Sequence, residues 1–221
     1  MVPTLRPAPR RRMQSVILLS AGVALLVLFA LLAIGVKQKS VFVQTDALCR
    51  DILHEHARES PEVAAIFAGI TELASRRALW AEFAAVLLIL AVLRRWRTAA
   101  VWILAFTGYG VGAVLKTWID RARPLFADPL VTERASSFPS SHAVGSTIVC
   151  GMLTYLCIRA VPRRWISFVT LFGSLIGLIG FSRIYLGAHW LSDVLAGECF
   201  GLGWVLVSAA VAEMWVKPKS S

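Results

Sequence analysis

The chain has 221 residues, of which 57% are hydrophobic, and a mean hydropathy of +0.70. Only 16% of its residues are charged, compared with about a quarter in soluble domains, so the composition excludes an ordinary soluble protein and favours a membrane protein. The formal net charge of +10 is compatible with nucleic-acid binding, but the positive residues lie in separate segments between apolar runs, which argues against that class.

Six apolar segments are candidates for membrane spans, because a hydrocarbon core about 30 Å thick requires roughly 20 apolar residues in helix. We expect the first to be a retained span, since it is longer than the apolar core of a cleaved signal peptide. The chain is therefore predicted to be all-α, a single domain over residues 1–221 built as a bundle of six transmembrane helices, with residues 1–12 as a flexible cytoplasmic tail. The predicted spans are Met13–Val36, Leu79–Leu93, Thr98–Leu115, Ala143–Ile158, Trp165–Ser182 and Trp190–Ala212.

Residues 37–78 form the largest segment outside the predicted spans. Apolar residues recur there at helical spacing, first around Leu48 and Ile52 and again around Ile66 and Phe67. Pro61 indicates that a second helix begins at that point. We predict two amphipathic helices on the outer membrane surface that cover the bundle. A lid or lateral gate that selects lipids is the alternative, and the sequence does not separate the two.

Basic residues collect in alternate connections between the predicted spans. Twelve of them share those connections with one acidic residue, Glu213, whereas the other segments are balanced in charge. By the positive-inside rule, both termini lie in the cytoplasm of an integral cell (inner) membrane protein, and the other connections face the periplasm or exterior. Anionic lipid head groups are the expected partners of this charge, and no nucleic acid is expected. The twelve residues are Arg6, Arg10, Arg11, Arg12, Arg94, Arg95, Arg97, Arg159, Arg163, Arg164, Lys217 and Lys219.

Three short motifs lie at the predicted outer ends of the spans. The first is K-x6-R-P, with Lys116 and Arg123; the second is P-S-S-H, which ends at His142; the third is S-R-x5-H-x3-D, with His189 and Asp193. Each motif contains side chains that a phosphoryl-transfer site without a metal ion requires. Their shared side of the membrane predicts that they form one site.

The histidines are the predicted catalytic groups. His189 and Asp193 are four residues apart and share a helix face if the helix has begun. An aspartate bonded to one ring nitrogen fixes the tautomer, stabilises the positive ring after attack and leaves the other nitrogen free as a nucleophile. His142 is predicted to donate a proton to the leaving lipid oxygen and later to act as a base. An ordinary ion pair at this spacing is the alternative for the third motif taken alone.

The remaining motif residues are predicted to bind the substrate phosphate. Ser140 or Ser141 can cap the fourth span, whose N-terminus then offers unpaired N–H groups to an anion. Guanidinium forks and an ammonium group can contact the phosphate oxygens and do what Mg²⁺ does elsewhere, so we expect no metal ion and no cofactor. The predicted phosphate-binding residues are Lys116, Arg123, Ser140, Ser141 and Arg183.

The three motifs, in this order, resemble those of the type 2 phosphatidic acid phosphatase (PAP2) superfamily, which includes membrane lipid phosphatases and, more distantly, vanadium haloperoxidases. The match covers about a third of the chain. The resemblance implies that the matching residues of this sequence have the roles predicted above. One position departs from the pattern, because Ser141 stands where the family usually has glycine; its Cβ can crowd the phosphate or its hydroxyl can add a bond.

The leading functional prediction is a lipid phosphatase that hydrolyses a membrane lipid phosphate through a phosphohistidine intermediate. Candidate substrates are polyprenyl diphosphate, phosphatidylglycerol phosphate, phosphatidic acid and lipid A phosphate. One alternative is a phosphotransferase that passes the phosphoryl group to an acceptor lipid or sugar hydroxyl. A second is a non-enzymatic channel or assembly protein. The sequence leaves the lipid tail and the oligomeric state open.

Overall fold

A computed structural model describes residues 9–38, 43–127, 129–133 and 135–215. Over these ranges the regular structure is entirely helical, as predicted, and one 3-10 turn, Pro162–Arg164, precedes α7. The α-helices in chain order are α1 (Pro9–Lys37), α2 (Val43–Glu59), α3 (Pro61–Glu72), α4 (Arg76–Val92), α5 (Trp96–Ile119), α6 (Ser141–Ala160), α7 (Trp165–Tyr185) and α8 (Leu191–Trp215).

Five helical segments of the described chain are long and apolar enough to cross a membrane. The helix at the predicted second span, α4, has 17 residues and opens with Arg76 and Arg77. At 1.5 Å per residue it is about 25 Å long, which is short of the hydrocarbon core. The sixth span therefore stays a prediction. The five segments are Arg11–Lys37, Trp96–Ile119, Ser141–Ala160, Pro162–Tyr185 and Leu191–Trp215.

The first helix begins earlier than the sequence predicted. Residues 9–12 were assigned to a flexible tail, but they form the first turn of α1. Proline is well suited to the first helical position and arginine is a good helix former, so the basic segment can extend the span into a further turn. Residues 1–8, the rest of the predicted tail, lie outside the described residues, as do Lys217 and Lys219.

Helix α8 lies at the centre of the bundle and packs against α1, α5, α6 and α7. It crosses α1 closely: a Cβ on Gly22 would lie 2.9 Å from the carbonyl oxygen of Gly203, and one on Gly203 would lie 3.0 Å from that of Gly22. Small residues that let two backbones approach are typical of helix packing in membranes. The crossing therefore depends on these two glycines.

Replacing Gly203 by leucine is expected to destabilise the protein by about 1–3 kcal/mol, because the new side chain has no space between α1 and α8. Unfolding in mixed micelles measures the change. Gly173→Leu is the matched control, since a Cβ there meets nothing within 4 Å. Equal stability of the two variants would contradict the close α1–α8 crossing.

Helices α2 and α3 pack on the end of the bundle where α7 ends and α8 begins. The predicted break is confirmed, because α2 ends at Glu59 and α3 begins at Pro61. The predicted apolar face of α2 is not its buried face: Leu48 and Ile52 are exposed, whereas Asp46 is buried. Polar contacts to the bundle, described below, decide how this helix is oriented.

Candidate active site

Four helix ends meet at one end of the bundle, together with the connection 120–140 between α5 and α6. We call this the site end. Lys116 lies in the last turn of α5 and Arg183 in the last turn of α7. Ser140 is the N-cap of α6, and Asp193 lies in the first turn of α8. Segments far apart in the sequence thus bring the three motifs to the same end.

His189 and Asp193 form the predicted pair. The Nδ1 atom of His189 lies 3.4 Å from Oδ2 of Asp193, and both side chains are buried. The helix starts at Leu191, so His189 precedes it and the two residues do not share a helix face as predicted. The hydroxyl of Ser137 donates to the same Oδ2 and lies 3.5 Å from Nδ1. Ser137 is therefore a third member of this group, one that the sequence motifs did not mark.

Burial lowers the pKa of His189 well below its usual value, and the positive charges of Arg183 and Lys116 lower it further. The resting imidazole is therefore neutral. Its Nδ1 faces the carboxylate of Asp193, which favours the proton on that nitrogen. The other nitrogen, Nε2, then carries the electron pair and accepts from Nη1 of Arg123 at 3.2 Å. A neutral imidazole with this tautomer is suited to attack an electrophile placed near Arg123.

Arg123 and Arg183 converge on one carboxylate, that of Glu133. Nη2 of Arg123 lies 2.7 Å from Oε2, and Arg183 pairs with Oε1 of the same side chain. Burial alone raises the pKa of Glu133, but the charges of Arg183 and Arg123 outweigh it, and the pKa is lowered. Two guanidinium groups thus act on one anionic group.

Sequence reasoning did not identify Glu133. It lies in the connection 120–140, outside all three motifs, and a single glutamate in a loop carries no local signature of a site. Asp128 and Arg134 belong to the same connection, no individual role is predicted for them, and they lie outside the described residues.

Lys116 and Arg123 also hold the connection in place. The ammonium group of buried Lys116 donates to the carbonyl oxygens of Ser137 at 3.3 Å and Pro139 at 3.1 Å. Arg123 donates to the carbonyl oxygens of Ala135 and Ala188, each at 2.6 Å. Both cations are therefore rigidly placed before any substrate is bound, which is the preorganisation that electrostatic catalysis requires.

The second motif starts helix α6. The hydroxyl of Ser140 accepts from the N–H of Ala143 at 3.5 Å, and its own N–H donates to the carbonyl oxygen of Asp193 at 3.1 Å. Ser141 and His142 follow in the first turn and are half-buried. Among the described residues no hydrogen bond involves the His142 ring. The structure therefore places α6 with its positive N-terminal end at the site end.

A second buried network fixes the orientation of Asp193. Arg121 donates through Nη1 to Oδ1 of Asp193 at 2.5 Å and through Nη2 to Oδ2 of Asp46 at 2.7 Å. Asp46, on α2, also accepts from the backbone N–H of Ser192 at 2.9 Å. Both oxygens of Asp193 are thus occupied, Oδ1 by Arg121 and Oδ2 by the N–H of Trp190 and the Ser137 hydroxyl. Neither Arg121 nor Asp46 was recognised from the sequence.

The sequence model of the PAP2 superfamily matches residues 96–217, which contain all three motifs. Phosphatidylglycerophosphatase B of Bacillus subtilis (strain 168) is 39% identical over 94 residues, which is 40% of this chain and 45% of that protein, so the aligned part spans less than half of that relative. Among solved structures, the crystal structure described as the first transmembrane PAP2 type phosphatidylglycerolphosphate phosphatase from Bacillus subtilis is 27% identical. It matches with a TM-score of 0.79 over 90% of this chain and 98% of that one.

Proposed function

We propose that the chain, which belongs to the PAP2 superfamily, is an integral-membrane lipid phosphatase. The observation that carries the proposal is the convergence of Arg123 and Arg183 on a single carboxylate beside the neutral ring of His189. Forked guanidinium groups bind carboxylate and phosphate oxygens in the same way, so a site that holds one anion between two arginines is suited to the other. Phosphoryl transfer needs little beyond such positioning and charge stabilisation.

The proposed reaction has two steps. Nε2 of His189 attacks phosphorus, the N–P bond forms and the bond from phosphorus to the lipid oxygen breaks. His142 gives its proton to that leaving oxygen. Asp193 stabilises the positive imidazole ring that results. In the second step a water molecule loses a proton to His142 and attacks the phosphohistidine, the N–P bond breaks and inorganic phosphate is released.

The positive groups stabilise the charge on the transferred phosphoryl group. Arg123 and Arg183 are placed for its equatorial oxygens, and the N-terminus of α6, with Ser140 and Ser141, supplies backbone N–H groups. Lys116 adds a charge close by, with one of its three donors free of the two carbonyl bonds described above. These groups support a reaction that proceeds without a metal ion.

Phosphatidylglycerol phosphate is the substrate to test first. The support for this choice is the similarity to the Bacillus subtilis sequence and to the Bacillus subtilis crystal structure, both of which are named for that activity. Phosphatidic acid, polyprenyl diphosphate and lipid A phosphate remain in the same proposal, because the site residues contact the phosphate group that all four share.

We further propose that the site faces the periplasm or exterior and that both termini are cytoplasmic. The support comes from the helix directions: the site end is opposite the end that carries Arg94 and Arg95 before α5, Arg97 in its first turn, and Arg163 and Arg164 before α7. Positive residues of this kind favour the cytoplasmic side. In this arrangement α4 is a short sixth span, and α2 and α3 lie on the outer side.

The test uses purified protein in detergent with EDTA and the four candidate lipids. Inorganic phosphate is expected to be released from at least one of them, because the site's own cations replace the metal ion. Strict dependence on added Mg²⁺ would contradict the mechanism. Transfer of labelled phosphate to a second lipid, with none released, would show that the acceptor is a hydroxyl group and not water.

A further inference from the structure

The carboxylate of Glu133 occupies the position between the two arginines that the proposed function assigns to the substrate phosphate. Each of its oxygens pairs with a different guanidinium group, Oε2 with Arg123 at 2.7 Å and Oε1 with Arg183. The side chain therefore lies between the two guanidinium groups that the proposed reaction places around phosphorus, and Nη1 of Arg123 also lies 3.2 Å from the attacking nitrogen of His189.

The pairing of Arg183 with this carboxylate is incomplete. Arg183 is 3% exposed and donates to Glu133 through Nη2 and to Thr71 Oγ1 at 3.1 Å through Nη1. Its Nε is buried and has no hydrogen-bond partner among the described residues. A buried donor without a partner is costly, and a carboxylate with both oxygens engaged has limited means to satisfy it. A phosphate group, with additional oxygens, can accept from this third nitrogen.

Glu133 is also the most exposed of these three side chains. Its side chain is 30% exposed, compared with 11% for Arg123 and 3% for Arg183. It comes from the connection 120–140, whereas Arg183 belongs to a helix. A rotation of the glutamate side chain towards solvent therefore vacates the position without moving the arginines.

We propose that Glu133 is a built-in competitor for the phosphate position, which neutralises the two arginines in the empty site and is displaced when a substrate phosphate binds. The inference rests on the proposed function, because it takes the phosphate subsite from it. The carboxylate then weakens the binding of small anions that contact the site only through a phosphate group. A lipid substrate gains further binding from its tails, whereas inorganic phosphate does not, so Glu133 favours release of the product.

Glu133→Gln is expected to bind inorganic phosphate at least about tenfold more tightly than the wild type. If Glu133 leaves the phosphate position open for only about a tenth of the time, the apparent affinity for phosphate is lowered about tenfold. The neutral amide of the variant removes this competition. Isothermal titration of the full chain in detergent with inorganic phosphate measures the dissociation constant. Glu133→Ala is measured in parallel, and each protein's thermal unfolding with and without phosphate checks that a folded site binds the ion.

Glu72→Gln is the matched control, because it removes the same charge from an exposed glutamate whose charge acts on Arg183 but which shares no described bond with it. We expect a change below about threefold there, because solvent screens exposed charges. If Glu133 instead held the arginines in place for the substrate, both Glu133 variants would bind inorganic phosphate more weakly than the wild type. Unchanged or weaker phosphate binding in both Glu133 variants, or no binding in any, overturns the inference. Failure of the proposed function is seen separately, as absence of phosphate release from all four lipids.

Discussion

Replacing His189 by glutamine is expected to lower phosphate release from the preferred lipid by at least about 10³-fold, because the proposed nucleophile is lost. Glutamine can keep a hydrogen bond towards Asp193, but its amide nitrogen has no free electron pair with which to attack phosphorus. The remaining groups can still bind the phosphate, so a larger effect on kcat than on KM is expected. Initial rates of phosphate release in EDTA give both constants.

His56→Gln is the matched control for this variant. It is the same substitution on the same end of the bundle, where Nδ1 of His56 lies 2.9 Å from the hydroxyl of Tyr185. We expect its rate to stay within about threefold of the wild type, because ordinary substitutions away from the reacting atoms change little. A rate within tenfold of the wild type for His189→Gln would show that another group attacks phosphorus.

Replacing Arg121 by methionine is expected to destabilise the protein by about 3–5 kcal/mol, since it leaves two buried carboxylates without their shared cation. Asp46 is 2% exposed and Asp193 is fully buried, and both pair with this one guanidinium group. Methionine keeps much of the apolar length of the side chain, so the loss of charge dominates. Unfolding in mixed micelles measures the change in the free energy of unfolding.

Two further variants isolate the cause. Arg163→Met makes the same substitution at an exposed arginine on the opposite end of the bundle, where a change within about 0.5 kcal/mol is expected. Asp46→Asn combined with Arg121→Met removes one of the two orphaned charges, so the double variant is expected to be more stable than the sum of the single effects predicts. Strict additivity, or an Arg121→Met variant as stable as the control, would mean that Arg121 does not neutralise these carboxylates.

Replacing Arg121 is expected to change the activity through the orientation of the Asp193 carboxylate. Arg121 does not touch the proposed substrate position; it holds Oδ1 of Asp193, while Oδ2 is left to Ser137, the N–H of Trp190 and the His189 ring. We therefore describe Arg121 as a positioning residue. Through Asp46 it also ties α2 to the start of α8, which holds α2 at the site end.

Much of the fold could be predicted from local properties of the sequence. The long apolar runs predicted α1, α5, α6, α7 and α8, because hydrophobic length is a property of each segment by itself. The break at Pro61 was predicted for the same reason, since proline acts on its own helix. The helix at the predicted second span, α4, has 17 residues, so the sixth span stays a prediction.

The motif residues could be named from the sequence because spacing and residue type are visible there, and a resemblance to a known family gave them roles. His189, Asp193 and Arg123 do meet, but the sequence could not show that the helix starts after His189, nor that Ser137 contacts both the ring and the carboxylate.

The chain by itself determined which segments are apolar and which side chains are able to handle a phosphate, because these depend on composition and near neighbours. The tertiary structure alone decided what each charge pairs with. Glu133 meets Arg183 across 50 positions, and Asp46 meets Ser192 across 146. Such pairs have no local signature, since a charge in a connection acquires its role only when folding removes it from water and places an opposite charge beside it.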